Sequence, residues 1–170
     1  MDLKEALTTS INFEQKVRDH YAKGAQEILS PKGKKVFATL AKEEQGHLDY
    51  LRSRLAEWHA NGKVSSPDLP TLLPSVNWIE EAKARMARGP ASTIAVEGEL
   101  DLLKIALDLE RRTSGFYQQL VDTMKFEERE MFARFLEIEH GHLAIVQAEI
   151  DSLAGNGTWF DVMEFQLEAG

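Results

Sequence analysis

Apolar side chains recur along most of this chain every three or four residues, which is the spacing of one face of an α-helix. Four long stretches carry such a stripe and predict helices over about 2–29, 31–61, 97–123 and 126–153. A shorter stripe predicts one more helix at about 77–88. The pattern gives little sign of strands, so the fold is expected to be all-α.

Residues with strong cap and turn preferences separate these stretches. Ser30-Pro31 supplies an N-cap and a first helical residue, and Asn61-Gly62 has the form of a C-cap. Asn77 with Glu80 three residues later resembles a capping box, which would open the short helix. Gly89-Pro90 would end that helix, and the glycines at 155 and 157 would end the last one.

The lengths of the connections predict the architecture. Helices of roughly 27 residues are each about 40 Å long, and the connections between them are short, long and short. The first and last pairs are then antiparallel hairpins, joined by a long crossover between the second and third long helices that holds the short extra helix. This is a four-helix bundle of ferritin-like topology, expected over 1–154, with 155–170 as a C-terminal tail or short docked helix.

Composition narrows the classes of function. The chain has 170 residues, no cysteine and a net charge of −8, which argues against nucleic acid or an anionic membrane as partner. Thiolate metal sites, disulfides and a cysteine nucleophile are excluded. The sequence shows no signal-peptide core and no apolar run of membrane-spanning length, so a cytoplasmic location is expected.

The two halves of the chain repeat each other. LAKEEQGHLDYL at 40–51 resembles FLEIEHGHLAIV at 135–146, and INFEQKVRDHY at 11–21 resembles LDLERRTSGFY at 107–117. The residues of chemical interest recur at an offset of 96 in the first and third helices and of 95 in the second and fourth. Those residues are Glu14 and Tyr21 with Glu110 and Tyr117, and Glu44 and His47 with Glu139 and His142.

Each of the four repeated glutamates interrupts an apolar stripe and therefore points into the bundle. Each of the two histidines follows its glutamate by three residues and projects beside it. All six residues lie about 14 to 17 positions from the turn of their own hairpin, so they are expected at one level near the middle of the bundle. The six are Glu14, Glu44, His47, Glu110, Glu139 and His142.

Four glutamates in a dry core would repel one another, and burying each ion would cost several kcal/mol. Two divalent cations would neutralise four carboxylates and coordinate both imidazoles. Carboxylate and imidazole ligands suit iron or manganese, and zinc less specifically. One glutamate from each of two helices plus Glu-x-x-His from each of the other two is the ligand set of di-metal carboxylate bundles.

On these motifs the sequence resembles the rubrerythrin branch of the ferritin-like superfamily, over about 1–153. The resemblance implies two iron ions (Fe2+/Fe3+), with manganese or zinc as substitutes. It implies bridging roles for Glu44 and Glu139, and terminal roles for Glu14 and Glu110. His47 and His142 would each bind one metal, and Tyr21 and Tyr117 would hydrogen-bond to ligand carboxylates across the bundle. A homodimer is also implied.

The sequence departs from that family in two respects. Rubrerythrins typically carry a further glutamate one turn after the third-helix ligand, associated with peroxide chemistry, where this chain has Thr113. They also usually carry a cysteine-rich rubredoxin domain that delivers electrons, and this chain has no cysteine. Turnover would therefore need an external electron donor, such as a rubredoxin-type protein.

Three functions follow as hypotheses. The first is an oxidoreductase that reduces H2O2 or O2 at the di-iron site, and the second is a ferroxidase or iron-handling protein. The third is a metal-free structural or interaction bundle. Hydroxylation of an organic substrate uses the same ligand set, but the sequence gives no sign of a substrate pocket.

Other polar and aromatic residues near these motifs are interpreted without a metal-binding role. His140 is expected at the surface or beside the site, and His20 and His59 at the surface or at helix ends. Glu43 is rotated about 100° from Glu44 and is expected to be solvated. The three tryptophans, Trp58, Trp78 and Trp159, are expected to pack or to form an interface.

Overall fold

The computed structural model describes residues 1–85 and 96–160. Its helices are α1 (Leu3–Glu27), α2 (Pro31–Asn61), α3 (Val76–Arg85), α4 (Val96–Thr123) and α5 (Phe126–Asn156). No strand occurs in these two ranges, which confirms the all-α prediction. Within the same residues, no helix is both long enough and apolar enough to cross a membrane.

The predicted caps hold at both ends of α2. The Ser30 hydroxyl accepts a hydrogen bond from the Gly33 amide at 3.4 Å, and Pro31 is the first helical residue. Gly62 ends the helix in the left-handed region with φ 67°, and its amide donates to the Trp58 carbonyl. These short-range signals therefore set the turn of the first hairpin and the start of the crossover.

The cap predicted for α3 was wrong. The helix begins at Val76, and the Ser75 hydroxyl accepts from the Trp78 amide at 3.3 Å. The serine comes earlier and satisfies a free amide of the first turn, so Asn77 lies inside the helix rather than at its cap. The stop predicted at Gly89-Pro90 falls outside the described residues.

The last long helix extends further at its C-terminal end than the predicted 126–153. α5 continues to Asn156, and Gly157 follows it as C-cap with φ 67°. The chain then turns back, and Trp159 and Phe160 are buried at 5% and 1% exposure. The first part of the predicted tail is thus docked on the core, while 161–170 lies outside the described residues.

The long helices pack as two hairpins. α1 packs chiefly on α2 and α4 chiefly on α5; α1 and α4 join the two pairs, and α3 packs on α5. The interior holds two apolar clusters, and each long helix contributes to both. The Tyr21 cluster includes Val17, Tyr21, Phe37, Leu40, Leu103 and Val146. The Tyr117 cluster includes Leu7, Leu51, Tyr117, Leu120, Phe132 and Phe135.

A buried polar layer lies between these two clusters. On every long helix the residues of one cluster precede the layer and those of the other follow it. On α1, for example, Leu7 belongs to the Tyr117 cluster, Val17 belongs to the Tyr21 cluster, and Glu14 lies between them. The apolar side chains of the two clusters exclude water from both sides of this layer.

Candidate metal centre

The polar layer consists of the six residues that the sequence pattern singled out. Five of them have 0% exposure and His47 has 1%. α1 and α4 each contribute one glutamate, and α2 and α5 each contribute a glutamate and a histidine one turn later. The structure thus brings together Glu14, Glu44, His47, Glu110, Glu139 and His142.

The donor atoms of these side chains form two overlapping groups. One consists of Glu14, Glu44, His47 and Glu139, and the other of Glu44, Glu110, Glu139 and His142. Within each group the donor atoms lie within 4.8 Å of one another. Glu44 and Glu139 belong to both groups, so two cation positions side by side would share these two carboxylates.

Both imidazoles turn the same nitrogen toward the carboxylates. The Nδ1 atom of His47 lies 3.3 Å from Glu14 Oε2 and 3.1 Å from Glu44 Oε2. The Nδ1 atom of His142 lies 2.7 Å from Glu44 Oε1. The two rings stack with their centroids 5.4 Å apart and their planes 7° from parallel. Nδ1 is therefore the nitrogen that each ring offers to the centre.

Many of these buried polar atoms have no hydrogen-bond partner. Both carboxylate oxygens of Glu139, one oxygen each of Glu44 and Glu110, and both ring nitrogens of His142 are without one. The short contact between His142 Nδ1 and Glu44 Oε1 lacks hydrogen-bond geometry. Buried polar groups are otherwise almost always paired. Converging donors of which so many atoms lack a hydrogen-bond partner suit cations, so this set fits two divalent metal ions.

Two tyrosines hold Glu14 and Glu110 across the bundle. Tyr21 of α1 donates to Glu110 of α4, and Tyr117 of α4 donates to Glu14 of α1. These are the hydrogen bonds that the family resemblance implied. Burial, together with the nearby carboxylates, raises the pKa of both phenols well above the ordinary value. Both hydroxyls thus keep their protons and can donate, which fixes the two carboxylates in place.

Crowding of acids in a dry layer raises most of the carboxyl pKa values. Burial and the charges of neighbouring carboxylates raise the pKa of Glu44 and Glu139 well above the ordinary value. Burial raises the pKa of Glu110 to about 7, although the hydrogen bond from Tyr21 and the charge of His47 act to lower it. Without cations, the layer therefore retains protons that water would remove from free glutamates.

Glu14 and His47 form the charged pair of the layer. Burial acts to raise the pKa of Glu14, but hydrogen bonds from Glu44, His47 and Tyr117 and the charge of His47 bring it down to about 2. Burial acts to lower the pKa of His47, but Glu14 outweighs it and raises the pKa to about 9. Burial and the charge of His47 lower the pKa of His142 to about 3. His142 is therefore neutral at pH 7.

Thr113 supplies no carboxylate to this layer. It is fully buried, and its hydroxyl donates to the Leu109 carbonyl one turn earlier at 3.0 Å. The hydroxyl is therefore satisfied within its own helix. The position three residues after Glu110 therefore offers a neutral group.

The expectation for Glu43 was wrong. Its side chain is buried at 7% exposure and accepts hydrogen bonds from the Thr71 hydroxyl at 2.6 Å and the Leu72 amide at 3.0 Å. Thr71 and Leu72 belong to the crossover, which passes over this face of α2. The helical pattern of α2 alone could not show that a distant segment covers Glu43, since the signal lies in the tertiary contact.

The remaining histidines lie apart from the layer. His140 and His59 are exposed, as expected. His20 is half-buried instead, with Nε2 2.8 Å from the Leu102 carbonyl of α4, because it lies at the contact between α1 and α4. Trp159 packs against Phe37 with ring centroids 6.0 Å apart, in accord with its expected packing role.

No family model, curated protein or solved structure matches this chain. The functional interpretation therefore depends on the geometry and chemistry of the buried layer itself.

Proposed function

We propose that this chain is a non-haem di-iron carboxylate protein, similar to rubrerythrin and of ferritin-like topology, which reduces H2O2 or O2 with electrons from an external donor. The observation that carries the proposal is the pair of overlapping four-donor groups that share Glu44 and Glu139. Oxygen and imidazole donors without thiolate favour iron or manganese over softer metals. The proposal includes an external reductant because the chain has no cysteine for an iron–sulfur centre of its own.

The six side chains divide naturally between two iron positions. Glu14 and His47 would hold one iron, Glu110 and His142 the other, and Glu44 and Glu139 would bridge them. Two divalent ions balance four ionised glutamates, which removes the repulsion that raises the pKa values of Glu44 and Glu139. When bound, two Fe(II) ions supply one electron each, which with two protons converts H2O2 into two molecules of water.

The protein contributes orientation and exclusion of water. Tyr21 and Tyr117 hold the terminal carboxylates by hydrogen bonds from the opposite helix, so that each glutamate keeps its direction as charge in the layer changes. The Tyr21 and Tyr117 clusters exclude bulk water on both sides. A dry pocket with fixed donors strengthens the interaction of the carboxylates with cations.

A ferroxidase or iron-handling function is the second candidate, and Thr113 favours it. Fe(II) oxidation by O2 requires only the six donors, whereas the acid associated with peroxide chemistry in rubrerythrins is replaced by a hydroxyl bonded to Leu109. Peroxide consumption with many turnovers in the presence of a reductant would support the first function. Stoichiometric Fe(II) oxidation with retained Fe(III) would support the second.

The test is an anaerobic Fe(II) titration followed by separate additions of O2 and H2O2. We expect two Fe(II) per chain and oxidation of both by at least one oxidant. His142→Ala should remove one iron, whereas His140→Ala should bind two, since His140 is exposed two residues away on the same helix. Absence of bound iron in the unmodified protein would refute the proposal and select a structural bundle. Two irons in His142→Ala would refute the ligand assignment.

A further inference from the structure

A cavity of about 360 Å³ lies between α2 and the crossover, next to the buried layer. α2 lines it with Glu43, His47 and Tyr50, and the crossover lines it with residues that include Leu69 and Leu72. His47 is thus both a member of the layer and a wall of this cavity. The cavity connects the crossover side of the bundle to one of the proposed iron ligands.

Glu43 places a carboxylate inside this cavity. Its two oxygens each accept one hydrogen bond from the crossover, from the Thr71 hydroxyl and from the Leu72 amide. A carboxylate has about four acceptor positions, so each oxygen keeps one for another group. A donor atom of Glu43 lies within 4.8 Å of a nitrogen of His47 and a nitrogen of His142. Glu43 therefore forms a third donor group, of which the other two members are the ligand imidazoles.

The imidazole of His47 keeps one nitrogen without a partner. Its Nδ1 atom faces the carboxylates of the layer, so Nε2 points away from them. Nε2 has no hydrogen-bond partner although the side chain is almost fully buried. A buried carboxylate beside an unpartnered imidazole nitrogen suits a divalent cation.

We propose that this cavity is the port through which divalent metal ions reach the centre, and that Glu43 is the first buried ligand they meet. The inference rests on the proposed function, since it requires a metal centre to load. A cation would bind first at Glu43 beside His47 and then pass the imidazole to the four glutamates. Neither step forms or breaks a covalent bond, and the driving force is the larger number of carboxylates in the layer.

The opposite charges of Lys42 and Glu43, which both line the cavity, make the port testable by opposite changes. Lys42 also lines the cavity and is exposed, so its charge opposes an entering cation. A cleft lined by charge of one sign changes the association rate of an ion by roughly 10 to 1000-fold. Removing the carboxylate of Glu43 should slow loading, and reversing the charge of Lys42 should accelerate it.

The experiment is stopped-flow binding of Co(II) to the metal-free protein, followed by its visible absorption, with equilibrium stoichiometry measured on the same samples. We expect Glu43→Gln to lower the loading rate about tenfold or more. Lys42→Glu should raise the rate, and both variants should still bind two Co(II) per chain. Glu57→Gln is the matched control, because Glu57 likewise accepts from an amide and a hydroxyl of the crossover, both of Ser65. Glu57 does not line the cavity, and its variant should load at the unmodified rate.

Thr71→Val tests whether Glu43 binds the cation or only holds the crossover in place. It removes one hydrogen bond that holds the crossover to Glu43 but leaves the carboxylate, so loading should be no slower than in the unmodified protein.

Loading slowed equally by Thr71→Val and Glu43→Gln would overturn the port, as would unchanged rates in both Glu43→Gln and Lys42→Glu. Either result leaves the metal centre standing if two Co(II) bind. No Co(II) binding by the unmodified protein overturns both proposals. If Glu43→Gln fails to fold by circular dichroism, an unchanged rate in Lys42→Glu overturns the port.

Discussion

Replacing Glu110 by glutamine should stabilise the metal-free protein while it weakens metal binding. Glu110 is fully buried, and burial is the main cause that raises its pKa from 4.5 to about 7. Glutamine has nearly the same shape, and its carbonyl oxygen can still accept the hydrogen bond from Tyr21. The new amide also has unpartnered oxygens of Glu139 in the same layer as acceptors.

The size of the effect follows from the difference in pKa. The folded pKa of Glu110 lies above the unfolded value, so its burial does not lower the free energy of unfolding below pH 4.5. Between pH 4.5 and about 7 the loss in free energy of unfolding grows. Above pH 7 the cost is constant. A shift from 4.5 to about 7 corresponds to roughly 3 kcal/mol at 1.36 kcal/mol per pKa unit. Glu110→Gln should therefore raise the free energy of unfolding by about 3 kcal/mol at pH 8 and leave it nearly unchanged at pH 4.

Urea unfolding followed by circular dichroism, in the presence of a chelator, measures this difference. Glu130→Gln on α5 is the control, since Glu130 is exposed and its replacement removes the same formal charge. In the presence of Co(II), the order at pH 8 should reverse. The unmodified protein then gains stability from binding two ions, which the variant binds more weakly.

A stability difference independent of pH would refute the reasoning, because it would show that burial of an ionisable group is not its cause. A less stable metal-free variant at pH 8 would refute it as well. A gain of similar size in Glu130→Gln would attribute the effect to net charge rather than to the buried layer.

Three further predictions follow from the same contacts. Gly24→Ala should lower the free energy of unfolding, measured with urea, by about 1–3 kcal/mol, because the new Cβ would overlap the enclosed Phe37 ring. Gly115→Ala has open space around the new Cβ and should raise the free energy of unfolding by about 0.5–1 kcal/mol. Tyr117→Phe should lower the stability of the metal-free protein by about 1.5–3 kcal/mol, since the charged Glu14 loses a donor; an unchanged midpoint would show that the bond contributes nothing. Co(II) binding should release protons and tighten from pH 6 to pH 8, because the pKa of Glu110 is about 7 and that of His47 about 9. Titration calorimetry in two buffers of different ionisation enthalpy measures the proton release. A binding heat that is the same in both buffers would contradict the prediction.

The helices and the level of the buried layer could be predicted because their signals are local. Ser30-Pro31 and Gly62 fix the ends of α2 through backbone hydrogen bonds within a few residues. Once helix lengths are known, counting residues from each turn places Glu14 opposite Glu44 without knowledge of tertiary contacts. The bonds from Tyr21 and Tyr117 were expected from the family resemblance and not from this counting.

The parts that could not be predicted depend on segments distant in sequence. Glu43 is buried because the crossover happens to pass over it, and His20 is half-buried because Leu102 of another helix lies beside it. Trp159 is held by Glu99, whose carboxylate accepts from its indole nitrogen at 2.7 Å across 60 positions of sequence. Such placements result from packing between elements and leave no periodic trace in the chain.

The crossed hydrogen bonds between α1 and α4 relate the two hairpins by an approximate twofold axis. Tyr21 and Glu110 exchange roles with Tyr117 and Glu14 on rotation, so a single hairpin paired with its own copy would reproduce both contacts and all six donors. The twofold relation does not extend to the residues beside the metal centre, because the counterpart of Glu43 is the buried Ile138. The two proposed metal positions would have the same kinds of ligand but different surroundings, and the proposed port would open on only one face of this nearly symmetric arrangement.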